Sequence, residues 1–148
     1  MNSFRFRLAR VLEWRQTELE LADGRYRRQL GVISDLDREG ALLAERRSTA
    51  EVEVRADPNL TGTDLAALAA FHRYVDARRG QLARRRAEEQ RKLAAIEAAL
   101  LEARRRCRLL ERLKQRRLEE WTRASNAETE RTASENYLAQ WVEWRRAE

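Results

Sequence analysis

The residues in this chain that could carry chemistry are few. One histidine, His72, and one cysteine, Cys107, stand in 148 residues. Neither has company: no second Cys or His lies at metal-ligand spacing, and no glycine-rich phosphate loop or nucleophile motif occurs. Both fall on heptad positions of an apolar seam, where a packed histidine and a small buried hydrophobe are the simpler readings. Carboxylates recur three and four residues from arginines, the spacing of solvated salt bridges along a helix. The expectation is therefore no catalytic residue, no cofactor and no metal, and hence not an enzyme.

What remains is charge. Residues 104–121 read RRRCRLLERLKQRRLEEW, with seven arginines and one lysine within 104–117. Such a run could neutralise phosphates, lie on a membrane surface, or form the outer wall of a coiled coil that docks on another protein. Against nucleic acid stand Glu102, Glu111, Glu119 and Glu120, since a phosphate-binding helix gains from being free of acid. A surface-seeking helix would use Leu109, Leu110 and Leu113 as its apolar stripe. That stripe continues a heptad for many turns on either side, which favours the coiled-coil wall. These acids argue against nucleic acid as a partner, and no small-molecule substrate is implied.

Composition points the same way. Charged residues make up 38% of the chain, with five glycines, one proline and three phenylalanines. A mixture of Ala, Leu, Glu and Arg suits long paired helices, which need a narrow seam rather than a thick core. The net charge is +6 and unevenly spread. Residues 73–117 hold sixteen basic and six acidic side chains, residues 1–55 eleven and ten, and residues 118–148 four and seven. The lone cysteine excludes an internal disulfide, so a reduced cytosol is expected. No apolar run approaches the ~20 residues of a membrane span. The Arg-rich opening MNSFRFRLARVLEW mimics a transit peptide, but the heptad runs into it and marks it as structural.

These residues must be positioned by helices. Strong turn chemistry occurs once, in Ala56-Asp57-Pro58-Asn59-Leu60-Thr61-Gly62-Thr63-Asp64. Pro58 disfavours helix at Asp57, Gly62 tolerates positive φ, and Thr63 or Asp64 offers a cap for a new helix. The chain reads as one domain, 1–148, with a first helix over about 4–55, a bend at 56–64 and a second helix over about 65–146. In the first helix Leu12, Leu19, Tyr26, Ile33, Gly40, Arg47 and Val54 form one column of the seam. Leu8, Arg15, Ala22, Gln29, Leu36, Leu43 and Ala50 form the other. Gly24, Gly31 and Gly40 suggest flexibility or a close approach of the partner helix. In the second helix the columns are Leu68, Val75, Leu82, Glu89, Ile96, Ala103, Leu110, Arg117 and Ala124, and Leu65, His72, Arg79, Arg86, Leu93, Leu100, Cys107, Lys114 and Trp121. A break or change of face is expected near Gly80. Two helices joined by a short bend, each with a seam to cover, predict an all-α fold, a long antiparallel two-helix coiled coil. Pairing outward from the bend uses the second helix only to about residue 116, leaving Tyr137, Leu138, Trp141, Val142 and Trp144 without an obvious partner.

The opening Phe4-Arg5-Phe6-Arg7-Leu8-Ala9-Arg10-Val11-Leu12 resembles that of the flagellar FliJ family, which often begins Phe-x-Phe-x-Leu-x-x-Val-Leu. The segment Leu109-Leu110-Glu111-Arg112-Leu113-Lys114-Gln115-Arg116-Arg117 is similar to that family's Leu-Glu-x-Leu-Lys element followed by basic residues. The layout of the whole chain also resembles the family's. The tail departs from it, with Glu135 and a tryptophan-containing end where the family often has an Asp-Glu pair, alanines and basic residues. The resemblance implies a stalk and chaperone component of the bacterial flagellar type III export apparatus. Its implied partners are the hexameric export ATPase, which it would bind and stimulate, the export gate membrane protein, and export chaperones. Its implied place is the cytoplasm at the flagellar base, peripheral to the membrane. Phe4, Arg7, Leu8 and Val11 would join Leu109, Arg112, Leu113, Arg116 and Arg117 in contacting the ATPase. Leu43, Phe71 and Tyr74 would face the gate.

Overall fold

A computed structural model of the chain describes residues 3–147. Met1, Asn2 and Glu148, part of the expected domain, lie outside the described residues. The fold is all-α, a two-helix hairpin: α1 spans Ala9–Ala56 and α2 spans Gly62–Ala147, with no strand among the described residues. The chain divides into two compact units, Glu20–Glu102 and the pair of segments Met1–Leu19 and Ala103–Glu148.

In the Glu20–Glu102 unit the helices run antiparallel, and the cross-helix polar contacts record the register. His72, Asp76, Arg78, Arg86 and Glu89 of α2 meet Glu51, Arg47, Glu39, Asp37 and Gln29 of α1 in turn. Between them Leu36, Leu43, Val75 and Leu82 form the buried core, with Phe71 packed against it. Full burial of one such side chain stabilises by roughly 1.5–3 kcal/mol, so a narrow seam repeated over many turns is enough to hold two helices. Of the fourteen α1 positions expected in the seam, all but Leu8 are buried or half-buried.

The α2 seam differs from expectation in one column. Leu68, Val75, Leu82, Glu89, Ile96, Ala103 and Leu110 are sheltered as the spacing predicts. Leu65, Arg79, Arg86 and Lys114 are exposed, and Phe71 and Arg78 take the second column on the bend side of Leu82. From Glu89 onward the second column becomes Leu93, Leu100 and Cys107, all buried. This shift is a stutter, the equivalent of four inserted residues, which locally unwinds a coiled coil. The helix itself continues through Gly80, so the expected change of face occurs without a break. Beyond Leu110, Arg117, Trp121 and Ala124 are exposed, and the seam gives way to Leu113 and Leu118.

The bend is built from side chains rather than from glycine. The Asn59 N–H donates to Asp57 Oδ1 at 2.8 Å, an Asx turn. Thr61, not Thr63 or Asp64, caps α2. The Asp64 N–H donates to Thr61 Oγ1 at 3.3 Å while the Thr61 N–H donates to Asp64 Oδ2 at 2.9 Å, a reciprocal capping box. Gly62 is the first residue of α2, and no described residue has a positive φ. The start of α1 also moves: the helix opens at Ala9 rather than near residue 4. Arg5, Arg7 and Arg10 sit at the positive end of the helix dipole, and the first turn holds no acidic residue to offset them.

Candidate docking surface

Residues 3–8 form a short non-helical lead-in closed by a turn, in which the Ala9 N–H donates to the Phe6 carbonyl at 3.1 Å. The lead-in lies along α2. The Phe4 and Trp121 rings meet with centroids 6.1 Å apart at a 54° tilt, an edge-to-face type of contact. Phe4, Arg5, Phe6, Arg7 and Leu8 on one side, and Leu113, Arg117, Glu120 and Trp121 on the other, line a cleft of about 620 Å³. Its lining combines aromatic and aliphatic side chains with three guanidinium groups and one carboxylate. Arg117 Nη1 donates to Glu120 Oε2 at 3.0 Å, which holds the one acidic residue of the lining to a basic neighbour.

Five of the residues expected to bind the ATPase, namely Phe4, Arg7, Leu8, Leu113 and Arg117, therefore come together around this cleft. Val11, Leu109, Arg112 and Arg116 are exposed in the same unit but do not line it. Arg112 and Arg116 stand one turn apart on the solvent side of α2, clear of the buried Cys107 and half-buried Leu110. Phe6, Glu120 and Trp121 were not singled out as site residues from the sequence. Phe6 belongs to the Phe-x-Phe opening, but a helix beginning near residue 4 would have turned Phe4 and Phe6 away from each other. Only an extended lead-in lets both reach α2.

The expected gate surface belongs to the Glu20–Glu102 unit and changes composition. Leu43 is buried in the core at 6% exposure and presents nothing to a partner, because its heptad position faces α2. Tyr74 is exposed, and its ring stacks at 6.4 Å on the half-buried Phe71. His72 is half-buried, with Nε2 3.1 Å from Glu51 Oε1. Among the described residues Nε2 makes no hydrogen bond.

Charge elsewhere is paired along the helices. Arg86 grips Asp37 through two hydrogen bonds, holding that carboxyl below its ordinary range and raising the guanidinium. Burial, with Glu111 beside it, pushes the Cys107 thiol up, so this side chain behaves as a hydrophobe of the seam. No group of three or more His, Cys, Asp or Glu among the described residues is arranged to hold a metal ion. No helix among them is long and apolar enough to cross a membrane. Compared with protein-family models, curated proteins and solved structures, the chain matches none of them.

Proposed function

We propose that this protein is a non-enzymatic stalk and chaperone-like component of a bacterial flagellar type III export apparatus. It binds and stimulates the hexameric export ATPase, reaches the export gate membrane protein, serves export chaperones, and works in the cytoplasm at the flagellar base. The observation that supports this reading is the convergence, in one unit, of the Phe-x-Phe lead-in with the arginine-rich face of α2. An exposed basic face bordered by an apolar cleft suits a partner that presents acidic loops. At the other surface Phe71 and Tyr74 offer an aromatic patch for the gate.

The competing reading is a basic scaffold or nucleic-acid-binding coiled coil, favoured by the sixteen basic residues within 73–117. The reversal Arg112→Glu with Arg116→Glu tests the first reading. Because exposed charges contribute only about 0–1 kcal/mol to folding, the double variant should melt like wild type. It should also lose co-sedimentation with a hexameric flagellar export ATPase and its stimulation of ATP hydrolysis. Leu110→Asp, which places a charge in the seam, should lower the melting temperature and serves as the folding control. A double variant that melts normally and still binds and stimulates the ATPase in full would remove this face from the contact. Loss of DNA or RNA binding alone would favour the competitor.

A further inference from the structure

The last turns of α2 carry an apolar stripe that no other described residue covers. Tyr137, Leu138, Trp141, Val142 and Trp144 are between 42% and 69% exposed, and every residue from Asn126 to Arg146 is exposed. Spacings of three and four place Tyr137, Trp141 and Trp144 in one line, with Leu138 and Val142 beside them. The turns leading to the stripe interleave Ser, Thr and Asn, weaker helix formers, with Ala, Glu and Arg. Thr129, Thr132 and Ser134 donate their hydroxyls back to the carbonyls of Ser125, Glu128 and Glu130 at 2.9, 3.0 and 2.9 Å. Such residues weaken an unsupported helix, and most helical stability comes from packing an apolar face. This segment has the face and lacks the packing.

The charges around the stripe select its partner. Glu135 precedes it and Arg145 and Arg146 follow it. Two copies laid parallel would set Glu135 against Glu135 and the arginines against each other. Laid antiparallel and centred near Trp141, each copy brings Arg145 and Arg146 within about one turn of the other's Glu135. A lipid surface fits less well, because Glu128, Glu130, Glu135 and Glu143 occupy a segment whose polar face would have to be basic. The Arg145 guanidinium lies 4.1 Å over the Trp141 ring, so this cation already sits at the rim of the stripe. Aromatic side chains bury ~150–250 Å² each when wholly covered, and these are already part-shielded, so even with Leu138 and Val142 added the pair reaches at most ~1,200 Å², the lower edge of specific interfaces.

We propose that the C-terminal stripe of α2 is the contact between two copies of this chain, paired antiparallel about a two-fold axis near Trp141. The interface is isologous, each copy giving the same patch and the same pair of opposite charges. Its modest area makes the dimer weak and concentration-dependent. It stands independently of any role in export, because it uses none of the residues assigned to the ATPase.

Sedimentation equilibrium over a concentration series tests it. Wild type should pass from monomer to dimer in roughly the micromolar range, with helicity rising on association. Trp141→Ala with Trp144→Ala should weaken the dimer at least about tenfold. The thermal melting of the packed helices should stay in place, since no residue from Asn126 to Arg146 is buried in the chain. Glu135→Arg should weaken the dimer, and adding Arg145→Glu and Arg146→Glu to it should restore association, because every cross-pair is then reversed in sign. A chain that stays monomeric throughout the series overturns the proposal. So does a charge swap that fails to restore pairing, which would mean a parallel or unregistered contact. A monomer whose tryptophan emission shifts blue on phosphatidylglycerol vesicles would assign the stripe to a lipid surface instead.

Discussion

Glu89 shows how a single polar residue is accommodated in an apolar seam. Its carboxylate accepts from Lys92 Nζ at 2.9 Å and from Gln29 Nε2 across the hairpin, while the Gln29 amide also donates to the Glu89 carbonyl at 3.0 Å. Hydrogen bonds from Lys92 and then Gln29 hold the Glu89 carboxyl below its ordinary value. Asp64 is lowered in the same way by Thr61, and Asp37 by Arg86. The direction sets a pH dependence. A carboxyl whose pKa is lower in the folded state adds stability above its unfolded value, and that stability is lost as pH falls through the folded value. Urea midpoints should therefore hold steady from neutral pH down to the ordinary carboxylate range near pH 4.5, and fall below it. Glu89→Gln should lose part of that acid sensitivity. A polar pair in a seam also fixes register, because any slip strands both groups against apolar neighbours. Gln29→Leu with Glu89→Leu should raise the melting temperature and relax the register, seen as exchange-broadened resonances along the seam. Unchanged resonances would mean that the flanking salt bridges alone set it.

At the scale of the helices, caps and glycines decide local stability. Thr61 satisfies an orphan N–H of α2, so Thr61→Ala should destabilise by about 1 kcal/mol, read as a lower thermal midpoint. The glycines act in the opposite sense. A side chain added at Gly31, Gly40 or Gly80 would meet nothing within 4 Å, and one at Gly24 would meet only the Arg28 guanidinium at 3.6 Å. Among the described residues no atom of the other helix would touch an added Cβ at these positions, so none of them is needed for close helix contact, one of the two roles expected for them. With the backbone helical and the space open, Gly31→Ala and Gly80→Ala should each stabilise by about 1 kcal/mol. Thermal melts of the two single variants check this. If the glycines give a needed flexibility, ATPase stimulation should fall in the same variants while stability rises.

Across the whole chain, charge is the dominant property. A net charge of +6 and a pI near 10.3 draw it to anionic partners of any kind, so binding alone does not identify a partner. Salt gives a sharper reading. If Arg112 and Arg116 contact acidic loops, association with the ATPase should weaken as ionic strength rises through the range where the screening length falls below ~10 Å. The Arg112→Glu, Arg116→Glu variant should show a shallower dependence. Equal slopes for the two proteins would place the electrostatic contact elsewhere on the basic stretch.

The sequence by itself determined the helices, the single bend and nearly the whole α1 seam, because heptad spacing and one proline are local signals that no tertiary contact overrode. It also marked His72 and Cys107 as seam residues. Only the tertiary structure decided which α2 column faces α1 on the bend side of Leu82. A stutter costs little in sequence terms, and Phe71 and Arg78 read as well on the outer face as on the inner one. Leu43 stands in the α1 seam by its spacing, and its burial follows that spacing rather than the resemblance that set it toward the gate. The non-helical lead-in was hidden for a different reason. Leu8 and Leu12 carry the heptad back towards the opening and mask the alternation of Phe4, Phe6 and Leu8, which a helix would split between two faces, and it took Trp121, more than a hundred residues away, to give Phe4 something to pack against.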